Sequence, residues 1–342
     1  MPGLIGGVVV GATRQVSLGM YHSCSVRDGG RVLCWGANNA GQLGIEANVG
    51  SAYPTPVPAL LESGALGVVT QLALGNRHAC ALRDDGRVLC WGGNYFGQLA
   101  TVTNTGTEAP MVAPVLVDSS SLGVAKQVAV GDNHSCALRQ DGRVFCWGKN
   151  WDKQLGSTAT SDTFVPREIN SPALGVVRQL ALGVDHSCAL RDDGRVLCWG
   201  DNSTSQLGAG QSGLDSATPV LIDDSALGVV RQLALGSGHS CALRDDGRVL
   251  CWGNNYSGQL GVGMNTGTAE PLPAPQLIAN GTLGSVQRIA AGNNYTCALR
   301  EDGQVLCWGD NEFGQLGTNT SVGTNDPNPV PAPVQGLAPL IP

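Results

Sequence analysis

Twelve cysteines hold most of the reactive potential of this chain, and they fall ten residues apart in six pairs: Cys24 and Cys34, Cys80 and Cys90, Cys136 and Cys146, Cys188 and Cys198, Cys241 and Cys251, Cys297 and Cys307. The stretch HACALRDDGRVLCWG at 78–92 shows the pattern. In Arg83-Asp84-Asp85-Gly86-Arg87, two residues suited to a type I turn precede a glycine suited to the left-handed region, which is the three-residue hairpin loop with a glycine bulge. Counting outward from Arg83 and Arg87 sets Leu82 opposite Val88, Ala81 opposite Leu89 and Cys80 opposite Cys90. The cysteines then face each other at a non-hydrogen-bonded pair, with Cα atoms about 4.5 Å apart, within disulfide range. Each bridge would contribute roughly 3 kcal/mol by chain entropy before strain is subtracted. Two other uses stand beside this one. Zinc needs cysteine pairs two to four residues apart, and none occurs. Reduced cysteines packed as small hydrophobes would occupy the same positions.

Other chemistry is thinner. His22, His78, His134, His186 and His239 each stand two residues before a first cysteine, with Tyr295 in the sixth place. A ring of imidazoles would suggest a metal, but tyrosine does not replace an imidazole ligand. The histidines read as structural, hydrogen-bonding neighbouring backbone at a strand start. Aspartates such as Asp84-Asp85, Asp192-Asp193 and Asp245-Asp246 lack the alternating ligands of a calcium loop and serve the turn. No nucleophile–histidine–acid set, phosphate-cradling glycine loop or zinc helix stands out. The expectation is no catalytic residue, no metal and no cofactor.

The elements that position these residues are repeated. Each unit runs LG, a short VVRQLALG strand, a variable pair, the hairpin, then N-x-x-G-Q-L-G. Hairpin cores lie near 22–44, 78–100, 134–156, 186–208, 239–261 and 295–317, with a period of 52–56 residues. Such a period points to a propeller, a solenoid or an array. Short aliphatic and β-branched strands, broken every 8–12 residues by glycine or proline, predict an all-β fold with no substantial helix. Composition agrees: 42% of the 342 residues are apolar and 14% charged, with a net charge of −7. Three lysines and no basic stripe argue against nucleic acid. No apolar run approaches the ~20 residues of a membrane-spanning helix. The start, MPGLIGGVVVGATRQ, lacks the basic opening and the length of an export signal and reads as mature sequence.

The pattern G-x-x-H-[ST]-x-A-L-x-x-D-G-x-V-x-x-W-G-x-N-x-x-G-Q-L-G resembles the regulator of chromosome condensation repeat and covers nearly the whole chain. The resemblance implies a β-propeller of four-stranded blades; seven is usual in the family and six are counted here, as one domain over 1–342. Lys153 and Ser205 replace the GQLG glycine, Ala100 replaces the last glycine of the second unit, and Tyr295 replaces histidine. The paired cysteines look like those of bacterial, exported relatives. A P-x-L-[IV] segment recurs, as PVLI at 219–222 and PQLI at 275–278, with PGLI at 2–5 and PAPVQGL at 331–337 near the ends. This makes seven such strands for six hairpins. The expectation is six blades closed within one chain, with 318–342 as closing segment and a spare strand available for self-association.

Trp35, Trp91, Trp147, Trp199, Trp252 and Trp308 end the hairpins and are expected to fill the space between blades. The family's plant ultraviolet photoreceptor uses clustered tryptophans; only Trp151 lies outside the repeat position here, so no second set exists for such a cluster. The loops after GQLG break the symmetry, and varied loops on a rigid scaffold are where binding resides. Tyr53, Met111, Trp151, Phe164 and Met264 are their candidate anchors. The leading expectation is a non-enzymatic, exported scaffold presenting these loops to a protein or surface polymer, located extracellularly, in a periplasm or at a cell surface because the cysteines pair. A secreted protein inhibitor of β-lactamase in the family offers an analogy. The alternatives are a guanine-nucleotide exchange factor, as the founding member is for the small GTPase Ran, and a self-assembling structural repeat. The founding member's inserted β-wedge and basic tail have no counterpart in this sequence.

Overall fold

The computed structural model describes residues 4–5, 8–9, 11–210, 213–278 and 283–337. The fold class is an all-β propeller of six four-stranded antiparallel blades. Among the described residues the longest helices are four-residue turns, Ser119–Leu122 and Asp224–Leu227. The chain divides into two compact units, residues 1–170 and 171–342.

The first unit holds blades one to three. Blade two shows the plan. Val69–Leu74 pairs with His78–Arg83, which pairs with Val88–Gly92, which pairs with Met111–Leu116. Every blade takes its four strands from one contiguous stretch of chain, in sequence order. The hairpin turn has the glycine-bulge form: Arg83 N donates to Arg87 O at 2.9 Å, Gly86 N donates to Arg83 O at 3.1 Å, and Gly86 has φ 78°. Cys80 lies opposite Cys90, and the same register recurs in all six hairpins. Disulfides join Cys24–Cys34, Cys80–Cys90 and Cys136–Cys146 in this unit, each with Cα atoms 4.1 Å apart.

The second unit holds blades four to six, with first strands Val177–Leu182, Val230–Leu235 and Val286–Ala291. Its disulfides are Cys188–Cys198, Cys241–Cys251 and Cys297–Cys307. The P-x-L segments are fourth strands of the hairpins that precede them. Ser216–Leu221 pairs with Val196–Gly200 and Leu272–Leu277 with Val249–Gly253. Their prolines are tolerated because this strand is the blade's edge, where an amide hydrogen is dispensable. The expected closing segment therefore supplies Asn328–Pro333 as blade six's own fourth strand, paired with Val305–Gly309. Near the start, Leu4–Ile5 pairs with Val8–Val9 as a separate two-stranded sheet, while blade one is filled by Thr55–Leu60. Residues 1–3 and 338–342 of these terminal segments lie outside the described residues.

Within each unit, cores form between successive blades. Cys24, Val26 and Val32 of blade one pack with Leu72, Ala81 and Trp91 of blade two. Cys241, Leu243 and Val249 of blade five pack with Ile289, Leu306 and Trp308 of blade six. Because the apolar side chains sit between blades, each blade needs a neighbour to bury its faces.

Candidate functional site

The repeated polar residues turn out to join blades. His78 Nε2 lies 3.0 Å from Ser135 Oγ of blade three. Ser135 Oγ donates to the carbonyl of Gln98 at 3.1 Å, and Trp147 Nε1 donates to the same carbonyl at 2.9 Å. His186, Ser240, Gln206 and Trp252 repeat this between blades four and five, and His239, Thr296, Gln259 and Trp308 between five and six. His78, His186 and His239 thus meet a hydroxyl of the next blade. Burial lowers the pKa of His78 and His134 to about 3 and of His22 and His239 to about 4, so these imidazoles are neutral. The set between blades one and two lacks one member. Ala79 stands where the others have serine or threonine, and His22, 3% exposed, has no hydrogen-bond partner at either nitrogen. Trp91 still donates to Gln42 O at 3.0 Å. Trp91, Trp147, Trp199, Trp252 and Trp308 are fully buried, while Trp35 is half-buried.

The asparagine of N-x-x-G-Q-L-G, missed at the level of sequence, anchors the variable loops. Asn94 Oδ1 accepts from Leu99 N at 2.9 Å, and its Nδ2 donates to the carbonyls of Thr101 and Thr103. Asn255 does the same with Leu260, Val262 and Met264. One buried amide thus fixes both the turn and the loop that leaves it. The replacements at glycine positions keep the glycine conformation: Ala100, Lys153 and Ser205 hold φ of 59°, 62° and 61°. The turn aspartates are engaged locally, with Asp85 pairing Arg83 at 2.9 Å and capping Arg87 N at 3.1 Å.

In the first unit the predicted anchors separate. Trp151, 59% exposed, meets Phe96 edge-on at 5.4 Å, and Phe96 meets Tyr95 at 4.9 Å. Lys149 Nζ stands 5.6 Å from the Trp151 ring and pairs with Asp152. Phe164 lies over Gly97, where a Cβ would meet its ring at 2.2 Å. Tyr53 is exposed and stands apart from this cluster, and Met111 packs against the core between blades two and three. In the second unit Met264 is exposed, and its carbonyl is held by Asn255. Sequence reasoning missed Tyr95, Phe96, Tyr256 and Phe313. They occupy the two free positions of N-x-x-G-Q; Phe96 is half-buried, and the exposed aromatics there, up to 83% at Phe313, are not required by the blade.

Residues 54–339 match the family model of the RCC1-like domain, and 14–42 match the regulator of chromosome condensation (RCC1) repeat. The chain is 29% identical over 324 residues to the ultraviolet-B receptor UVR8 of Arabidopsis thaliana, covering 93% of this chain and 70% of UVR8. It is 30% identical to the human E3 ubiquitin-protein ligase HERC2, of which it spans 6%. Among solved structures it resembles yeast RCC1 (Prp20) bound to Kap60, at 25% identity and TM-score 0.80, covering 95% of this chain and 75% of that one. A second structure of Prp20p from Saccharomyces cerevisiae, described with its binding to Gsp1p and histones, shares the fold at 24% identity and TM-score 0.80, covering 95% and 77%. These relatives are plant, human and yeast proteins and give no support to a bacterial, cysteine-paired subtype. The expectation of an extracellular, periplasmic or cell-surface location is overturned: the yeast relative is held by Kap60, a partner that points away from an exported surface protein. The disulfide argument for export fails because it inferred a compartment from hairpin geometry alone. These likenesses support a protein-interaction scaffold.

Proposed function

The chain belongs to the RCC1-like domain family, and from that premise we propose that it binds a small GTPase through its asparagine-anchored loops and acts as a guanine-nucleotide exchange regulator. One observation carries the binding part. Everything the repeats hold constant is consumed in joining blades and pinning loops, while the loops and the N-x-x positions vary and expose aromatic side chains. Varied, exposed segments on a rigid frame are a recognition surface. The partner class follows from the yeast relative described with its binding to Gsp1p and from the exchange activity of the family's founding member. Because 6% of HERC2 is spanned, that ligase's activity does not carry over.

Release of a fluorescent guanine nucleotide from a purified Ran-type GTPase, with and without the chain, tests the reading. Acceleration at micromolar chain is expected. Unchanged release, with no complex on gel filtration, overturns the GTPase assignment. A complex without acceleration would retain a binding scaffold and remove exchange.

A further inference from the structure

We propose that a cavity on the loop side of blade two receives a basic side chain, arginine above all, from a protein partner. The cavity measures about 210 Å³ and lies within the first unit. Tyr95, Phe96, Asn76, Arg77, Glu108 and Asn133 are among its walls. It is smaller than the roughly 300–1,000 Å³ of small-molecule sites, and so suits one side chain better than a metabolite.

Its polar wall calls for a donor. Asn76 has a buried Oδ1 with no hydrogen-bond partner. The Glu108 carboxylate is 72% exposed and pairs with Arg77 at 2.7 Å. Asn133 already donates its amide nitrogen to Asp132 at 2.7 Å. Arg77, the wall's cation, is engaged by Glu108. A guanidinium carries five N–H donors and no acceptor, and its plane stacks on aromatic rings. Tyr95 and Phe96 supply those rings, and Trp151, edge-on to Phe96, already has the Lys149 ammonium over it. The Arg77–Glu108 pair is exposed, so its mutual attraction is weak and an incoming guanidinium can take the carboxylate. The chain's net charge of −7 favours a basic partner surface. The inference rests on the binding-scaffold reading and is independent of the partner being a GTPase.

The sign of two substitutions tests it. Ac-Gly-Arg-Gly-NH2 and Ac-Gly-Glu-Gly-NH2 are titrated into the full chain while the ring NMR signals of Tyr95, Phe96 and Trp151 are followed. The arginine peptide should shift them, with a dissociation constant in the range of about 1–30 mM. Arg77→Ala should tighten it by up to about fivefold by freeing Glu108, and Glu108→Gln should weaken it by about tenfold. Both side chains are exposed, and unchanged thermal unfolding checks that the variants fold. Preference for the glutamate peptide, weakening by Arg77→Ala, or no shift with either peptide overturns the proposal. Arginine binding without nucleotide release leaves this site standing and removes only the GTPase assignment.

Discussion

Ala79→Ser should stabilise the first unit by about 1 kcal/mol, because it supplies the one hydroxyl missing from the inter-blade set. The His22 ring is placed like that of His78: a Cβ on Gly19 would meet His22 Cε1 at 2.6 Å, and one on Gly75 would meet His78 Cε1 at 2.8 Å. His78 then finds Ser135, whereas His22 faces the Ala79 position and stays unpartnered. A buried donor or acceptor left unmade costs about 1–3 kcal/mol. The new hydroxyl would accept from His22 and donate to Gln42 O, as Ser135 donates to Gln98 O. Its own desolvation offsets part of the gain, leaving about 1 kcal/mol, or a rise in Tm of about 2–4 °C for a unit of this size. Denaturant unfolding of the four members of a cycle with His22→Leu measures it. The gain should vanish in the His22→Leu background. A gain that persists there, or a loss in the wild-type background, would refute the hydrogen-bond account.

Removing the hydroxyl elsewhere should act in reverse: Ser135→Ala should cost about 1–3 kcal/mol in urea unfolding, by leaving His78 Nε2 unmatched. Acid should destabilise the fold through its neutral histidines. They are held near pKa 3–4 when folded against about 6.5 unfolded, so the unfolded chain binds more protons below pH 6.5. Stability is full above pH 6.5 and falls toward pH 4, by about 2 kcal/mol per histidine at pH 5; equal unfolding free energies at pH 7 and pH 5 would contradict this. Asn255→Ala removes two bonds that hold the start of the 262–275 loop and one that holds the turn before it, so stability should drop by about 2 kcal/mol or more, and limited proteolysis should cut that loop first. Alkylation after unfolding should modify no thiol without reduction and all twelve after it; in the folded protein under mild reductant, the Cys297–Cys307 pair should react first, since Cys297 alone among the cysteines is half-buried rather than buried.

The hairpins were legible residue by residue. A turn of three residues ending in glycine admits one register, and that register brings Cys80 to Cys90 without knowledge of any other blade. Contacts between blades were less legible, because they link residues 34–57 apart in sequence whose partners only the packing selects. A histidine in register in five units signals a shared role, yet nothing local shows that its partner is the hydroxyl just before the first cysteine of the next blade. The buried asparagines did leave a signal. Asn38, Asn94, Asn150, Asn202, Asn255 and Asn311 recur at one position, and an amide kept six times beside a glycine turn implies carbonyls to satisfy. Proline-rich P-x-L segments carry little pairing information, so which hairpin they join, and the edge position that tolerates them, became visible only in the sheet.

Each disulfide closes within ten residues of chain, inside a sheet made from one unbroken stretch. Twelve thiols could in principle pair in roughly ten thousand ways. During synthesis the choice hardly arises, because the second cysteine of a hairpin appears while its mate is the nearest thiol and the turn between them is already biased to fold. A hairpin can thus close its bridge before the next blade is translated, and doubling or losing one repeat in the gene would add or remove one bridged hairpin without disturbing the pairing of any other.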